Sequence, residues 1–144
     1  MTFDDDYPTC LETRVTLRVF SKTLSPSAIT HALNVKPSDS FSQGEPYGKK
    51  GLLRRESGWL LTSENAVKSR DTRRHITWIL DQLKERHAAI QELLRSGAEL
   101  DVNCYYVSAG QGGPTMSAEQ MSALGKLGLD LCWDIYFDSA SNEQ

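Results

Sequence analysis

The sequence has no long apolar run, no closely spaced cysteine pair and no catalytic signature, and each absence removes a class of protein. Its hydrophobic stretches span only a few residues, far short of the ~20 that cross a bilayer. The start, Met1-Thr2-Phe3-Asp4-Asp5-Asp6, carries neither the positive charge nor the apolar stretch of a signal peptide. The expected location is therefore the cytoplasm. Cys10, Cys104 and Cys132 are odd in number and widely spaced, which argues against a zinc knuckle or a thioredoxin-type pair. They read as reduced thiols in or near strands. No nucleophile-elbow, zinc-protease or P-loop motif occurs. Gly110-Gln111-Gly112-Gly113 lacks the P-loop lysine and reads as a flexible turn. His31, His75 and His87 fall on expected helices without an orienting group, and read as helix-surface residues. No cofactor, metal site or catalytic residue is read from the chain, so it is expected not to be an enzyme.

What is present is the material of one ordinary domain. The 144 residues are 39% hydrophobic and 24% charged, enough to bury about 68–70% of the unfolded surface without a metal or disulfide. Residues 1–10 are acidic and contain Pro8, and read as a loose arm. From Thr13 to Phe20 apolar and polar residues alternate, the pattern of a strand with one wet face. Ser25-Pro26 starts a helix as cap and first residue, and Asn34 ends it. Residues 38–51 read as a long loop. Leu52–Arg55 and Trp59–Thr62 are expected to pair as a hairpin about Ser57-Gly58.

A single long helix is expected from Asp71 to Ser96, about 39 Å. Its stripe is Ile76, Ile79, Leu80, Leu83, Ile90, Leu93 and Leu94, and Gly97 stops it. Leu100–Val107 alternates as a strand. Ser117 caps a helix over Ala118–Lys126, closed by Gly128. Leu129–Phe137 is a last alternating strand, and the tail from Ser139 reads as frayed. The order β-α-β-β-α-β-α-β gives an α+β fold: a mostly antiparallel sheet with helices on one face. The plan is ferredoxin-like with an added C-terminal helix and strand.

Two charged surfaces follow. Eight basic and three acidic residues lie between Lys49 and Arg74, while the rest of the chain has eight basic and sixteen acidic. Arg54 and Arg55 flank the expected hairpin. Arg70, Arg73 and Arg74 crowd a helix start, where the dipole disfavours cations. These five form a candidate anion site for a phosphate or nucleotide. Asp130 and Asp134 share a strand face with Asp101 across from them, and Tyr105 and Tyr136 lie on these same strands. This acidic face is a candidate docking surface for a protein partner, although Arg14 and Arg18 can pair across it. Nucleic acid is disfavoured by the net charge of −3. Trp59 and Trp133 read as core or edge residues, and Trp78, off the helix stripe, as partly exposed. An unpaired edge strand leaves both monomer and homodimer open.

Several segments also resemble one family. Leu24-Ser25-Pro26 with Ile29-Thr30, Leu33–Ser38, Gly58-Trp59-Leu60, Gly112–Ser117, and Leu127–Leu131 with Asp134–Tyr136 are similar, in order and spacing, to the bacterial domain of unknown function 4279 (DUF4279) family. The resemblance runs from about residue 13 to 137. Asn34 stands where that family more often has glycine. The resemblance implies a bacterial, cytoplasmic protein and no catalytic residue. Small bacterial domains of this kind include immunity proteins against nuclease toxins, an analogy of class only. The leading expectation is a non-enzymatic protein-binding domain of that type, and the alternative is a domain that binds a small anion through residues 49–74.

Overall fold

A computed structural model describes residues 1–138; the expected frayed tail, 139–144, lies outside the described residues. The elements are β1 (Cys10–Ser21), α1 (Pro26–Leu33), β2 (Asp39–Phe41), β3 (Pro46–Tyr47), β4 (Leu52–Leu53), β5 (Ser57–Thr62), α2 (Thr72–Gln82), α3 (His87–Arg95), β6 (Glu99–Ser108), α4 (Ala118–Leu127) and β7 (Asp130–Phe137). No helix among the described residues is long and apolar enough to cross a membrane.

Five strands form one sheet in the order β2-β5-β1-β6-β7. The first four are antiparallel to their neighbours, and β7 runs parallel to β6. The path β1-α1-β2 spans β5, and β5-α2-α3-β6 spans β1. These interleaved crossovers are the split βαβ of a ferredoxin-like plan. The unit α4-β7 then adds one strand outside β6. The fold is thus α+β, as the alternation and element order imply.

The alternation in β1 decides which way the sheet faces. Val15, Leu17 and Val19 are fully buried beneath the helices with Trp59, Leu61, Val102 and Cys104 from the flanking strands. Ile29 and Leu33 of α1, Ile76 and Ile79 of α2, and Ile90 and Leu93 of α3 complete this core. The helix ends are made as the sequence specifies. Ser25 accepts the Ala28 amide, and Asn34 closes α1 at φ 53°. Ser117 and Gln120 form a reciprocal capping box on α4, and Gly128 closes it at φ 75°.

Four local expectations fail for physical reasons. The single long helix is two helices. The break at Leu83–Arg86 includes Glu85 at φ 64°, and it falls where the apolar stripe would need residues 86 and 87 but meets Arg86 and His87. The expected hairpin about Ser57-Gly58 does not form, because both residues lie inside β5. Its intended first arm, β4, instead pairs with β3 in a separate ribbon. The sheet strand opposite β5 is β2, from the segment expected to be a loop. The arm is not loose either. The Asp4 amide donates to Asp71 at 2.7 Å, the Arg70 amide to the Asp5 carbonyl at 2.9 Å, and the Tyr7 hydroxyl to the Gly113 carbonyl at 2.9 Å.

Gly58 shows why β2 belongs where it is. Its backbone is ordinary extended chain, but a Cβ there would lie 2.2 Å from Cζ of Phe41. Phe41 covers the glycine and reaches Phe20, ring centroids 6.5 Å apart. Gly58→Ala is expected to expel the Phe41 ring and cost about 1–2 kcal/mol in urea unfolding. In a Phe41→Ala background the same change should cost under about 0.5 kcal/mol, which a double-mutant cycle measures directly.

Candidate functional site

The uncovered face of the sheet is assembled by register. Arg14 pairs in register with Tyr105, and Arg18 with Asp101, between β1 and β6. Asp130, Asp134 and Tyr136 of β7 stand beside Asp101, Tyr105 and Val107. All five residues expected on an acidic docking face, Asp101, Tyr105, Asp130, Asp134 and Tyr136, therefore do share one surface.

They are not electrically equivalent. The Arg18 guanidinium donates Nε and Nη2 to the two oxygens of Asp101 at 2.7 and 2.6 Å. That bidentate pair spends the Asp101 charge within the chain. Arg14 sits 3.9 Å above the Tyr105 ring and pairs with Glu12 at 3.3 Å. Tyr105 in turn lies 5.5 Å from the Tyr136 ring. Asp130 and Asp134 make no ion pair among the described residues. The Asp134 carboxylate raises the neighbouring Tyr136 phenol above its ordinary value. Where this face meets the end of α3, a depression of about 550 Å³ is lined by Glu56, Glu99, Asp101 and Asp130. Its one cation, Arg18, is the one already paired. An acid-lined hollow of this kind can receive a cationic side chain.

The other side of β7 lies open at the sheet edge. Trp133 was expected in the core or at an edge, on an apolar strand face. It is 40% exposed, and Ile135 and Phe137 on the same side are 42% and 66% exposed. Alternation tells which residues share a face, but not whether a helix reaches them. Trp59 is fully buried, its indole N–H donating to Thr30 Oγ1 at 2.9 Å. Trp78 is partly buried and lines a shallow hollow between α1 and α2.

The five arginines of the candidate anion site do not converge. Arg73 turns back onto Asp71, with Nε and Nη2 at 3.0 and 2.7 Å. Arg74 grips Asp5 at 2.6 and 3.1 Å. The acidic arm thus answers Arg74, and the cap residue Asp71 answers Arg73. Arg54 is held against two rings, 3.9 Å from Phe41 and 4.3 Å from Tyr47. It sits near Phe20, whereas α2 begins beside Thr13, about 23 Å away along β1. Arg55 and Arg70 are exposed, one at each end. A run of positive charge in sequence is therefore no single site in space.

The structure also contains a pair that sequence reading missed. Ser63 Oγ lies 2.6 Å from His75 Nδ1, and His75 Nε2 lies 2.9 Å from the Ser69 carbonyl. The carbonyl can only accept, so Nε2 carries the proton and Nδ1 accepts from Ser63. This has the outline of a nucleophile and base, but Ser63 is fully buried and also accepts the Val15 amide at 3.0 Å. No substrate reaches it. His75, expected on the helix surface, is a buried structural residue.

The match to known proteins can be set against this geometry. A family described as Domain of unknown function (DUF4279) matches residues 11–138. The chain belongs to that family. No curated protein and no solved structure matches it. The DUF4279 match takes in the whole uncovered face and β7. It begins after Asp5, the arm residue that pairs with Arg74, and includes Asp71, which pairs with Arg73.

The buried histidine sets a pH dependence. Burial holds the His75 imidazole below its ordinary value of 6.5, against the opposing effects of the Ser69 carbonyl and the Asp71 charge. Above pH 6.5 the ring is neutral in both states and its contribution is complete. Below it, the unfolded chain binds a proton that the folded chain resists, so stability falls with pH. Urea unfolding from about pH 7.5 to 5 should show a slope approaching ~1.4 kcal/mol per pH unit. His75→Gln should remove that slope, and an unchanged slope in the variant would place its origin elsewhere.

Proposed function

We propose that this chain is a protein-binding domain without a catalytic role, docking a basic partner on the uncovered face of β6 and β7. The observation that carries the reading is the pair Asp130 and Asp134, which make no ion pair among the described residues, with Asp134 in register beside Tyr105 of the Tyr105–Tyr136 contact. Tyrosines give large contact area at low entropic cost and are enriched at interfaces. The acid-lined hollow suits an arginine anchor, and unanswered carboxylates favour steered association with a positive surface. An immunity protein that caps the basic cleft of a nuclease toxin is one partner relation with this chemistry. We place the protein in the cytoplasm, where free thiols such as Cys132 stay reduced. The anion-binding alternative loses its support with Arg73 and Arg74 already paired to carboxylates.

Affinity capture from the native host with the wild-type chain and with Asp130→Lys/Asp134→Lys tests this. The wild type should retain a basic protein that is released at ~1 M salt, where screening shortens to about 3 Å. The double variant should bind it roughly tenfold more weakly or worse. Equal retention by both chains would remove the acidic face as the docking surface.

A further inference from the structure

Resting on the protein-binding reading, we infer that the outer edge of β7 accepts an extended segment of the partner as a sixth strand, and that basic and apolar residues alternate along that segment.

Three features of β7 lead there. Among the described residues it pairs on one side only, with β6, and its other edge presents backbone groups without a strand partner there along eight residues. Of the usual guards, that edge has negative charge alone, which a basic strand would not feel as repulsion. Natural edge strands are kept short, bulged, or blocked by proline or lysine. β7 holds no proline and no lysine, and its register with β6 runs from Asp130 to Phe137 without a shift. Finally, its two faces differ in chemistry. Asp130 and Asp134 point to the uncovered side, and Trp133, Ile135 and Phe137 to the helix side.

An added strand continues both faces, because side chains alternate with a period of two. Its residues on the uncovered side would stand beside two carboxylates about 13 Å apart along the strand. Cations four residues apart answer that spacing. Its intervening residues would cover Trp133, Ile135 and Phe137 and must be apolar. A second copy of this chain does not meet these needs. β7 carries two aspartates and no cation, and two copies paired edge to edge would set their acid rows on the same face.

The test uses the full chain, labelled with ¹⁵N, and an end-capped peptide of eight residues, the length of β7, alternating lysine and valine. It should shift the amides of 130–137 and leave those of α2 unmoved. A peptide of the same composition with lysines and valines in two blocks should bind roughly tenfold more weakly or worse. N-methylation of one alternate set of its residues should abolish binding, and of the other set should not, because only one set turns its N–H toward β7. Asp130→Lys/Asp134→Lys should weaken the alternating peptide by roughly two- to thirtyfold. Both residues are at the surface, and circular dichroism verifies that the variant folds.

Absence of shifts in 130–137 with the alternating peptide would overturn strand addition. Undiminished binding of both N-methylated peptides would do the same, while a loss in the aspartate variant would leave face docking standing. Loss on N-methylation without any effect of the aspartate variant would overturn the basic pattern assigned to the partner. Concentration-dependent shifts of 130–137 without peptide, with oxidative crosslinking through the exposed Cys132, would show a second copy on the edge and overturn a foreign strand.

Discussion

The helix layer ends before the sheet does, and most of what distinguishes this molecule follows from that limit. The crossovers α1 and α2-α3 each connect strands two places apart, so they lie over the middle of the sheet. There α1 packs on β5, α2 on β1 and α3 on β6. The helix that packs on β7 is α4, and at ten residues it is about 15 Å long. Leu131 is drawn partly into the core, while the three apolar residues beyond it stay open. Leaving side chains of this size half exposed forgoes on the order of 1 kcal/mol each. Contiguous apolar surface of this kind marks interaction sites more often than isolated exposed residues do.

Charge in this chain is a matter of position in space rather than of sequence. The basic stretch from Lys49 to Arg74 looks like one feature on paper. In the structure, Asp71 takes Arg73 and Asp5 takes Arg74, far from Arg54 and Arg55. Burial pushes the Asp71 carboxyl up, but the Arg73 guanidinium and the amides of Asp4 and Arg73 outweigh that and hold it below the ordinary carboxylate range. One buried side chain thereby caps α2, answers a cation that opposes the helix dipole, and pins the arm that brings Asp5 to Arg74. The same bookkeeping on β1 gives Arg18 to Asp101. Once the internal pairs are counted, Asp130 and Asp134 are what the uncovered face has left to offer.

How much of this the sequence discloses depends on the range of the interaction. Period-two alternation places Val15, Leu17 and Val19 inside and sorts Asp101, Tyr105, Asp130, Asp134 and Tyr136 onto one face, because pleating is a local property. Caps are equally local, and Ser25, Asn34, Ser117 and Gly128 act as their residue types dictate. The helix break at Glu85 was signalled by Arg86 and His87 in the stripe, a gap that the flanking hydrophobic residues disguise. The strand β2 was not legible. Its three residues, Asp39, Ser40 and Phe41, have little strand character, and pairing with β5 depends on Phe41 finding the bare backbone of Gly58. The exposure of Trp133 was equally hidden, since it depends on how far a helix from another part of the chain extends.

Order in the proposed docking face bears on what a partner would have to supply. Eight residues of β7 are held in parallel register to β6, and Arg14, Tyr105 and Tyr136 are in contact in the order β1, β6, β7. The tyrosine pair is fixed to the central strand of the sheet rather than carried on a loop. A face already in place gives up little conformational freedom on binding, so the ordering cost falls mainly on the incoming chain. For an extended segment that cost is about 1–2 kcal/mol per residue of backbone. The backbone hydrogen bonds of a new strand return about 0.5–1.5 kcal/mol each, and alternate residues make them. Backbone pairing alone therefore falls short, and side chains must supply the remainder. Cations at the two carboxylates and apolar cover for Trp133, Ile135 and Phe137 are the contributions β7 has to offer, so selectivity for a partner has to come from the pattern of its side chains.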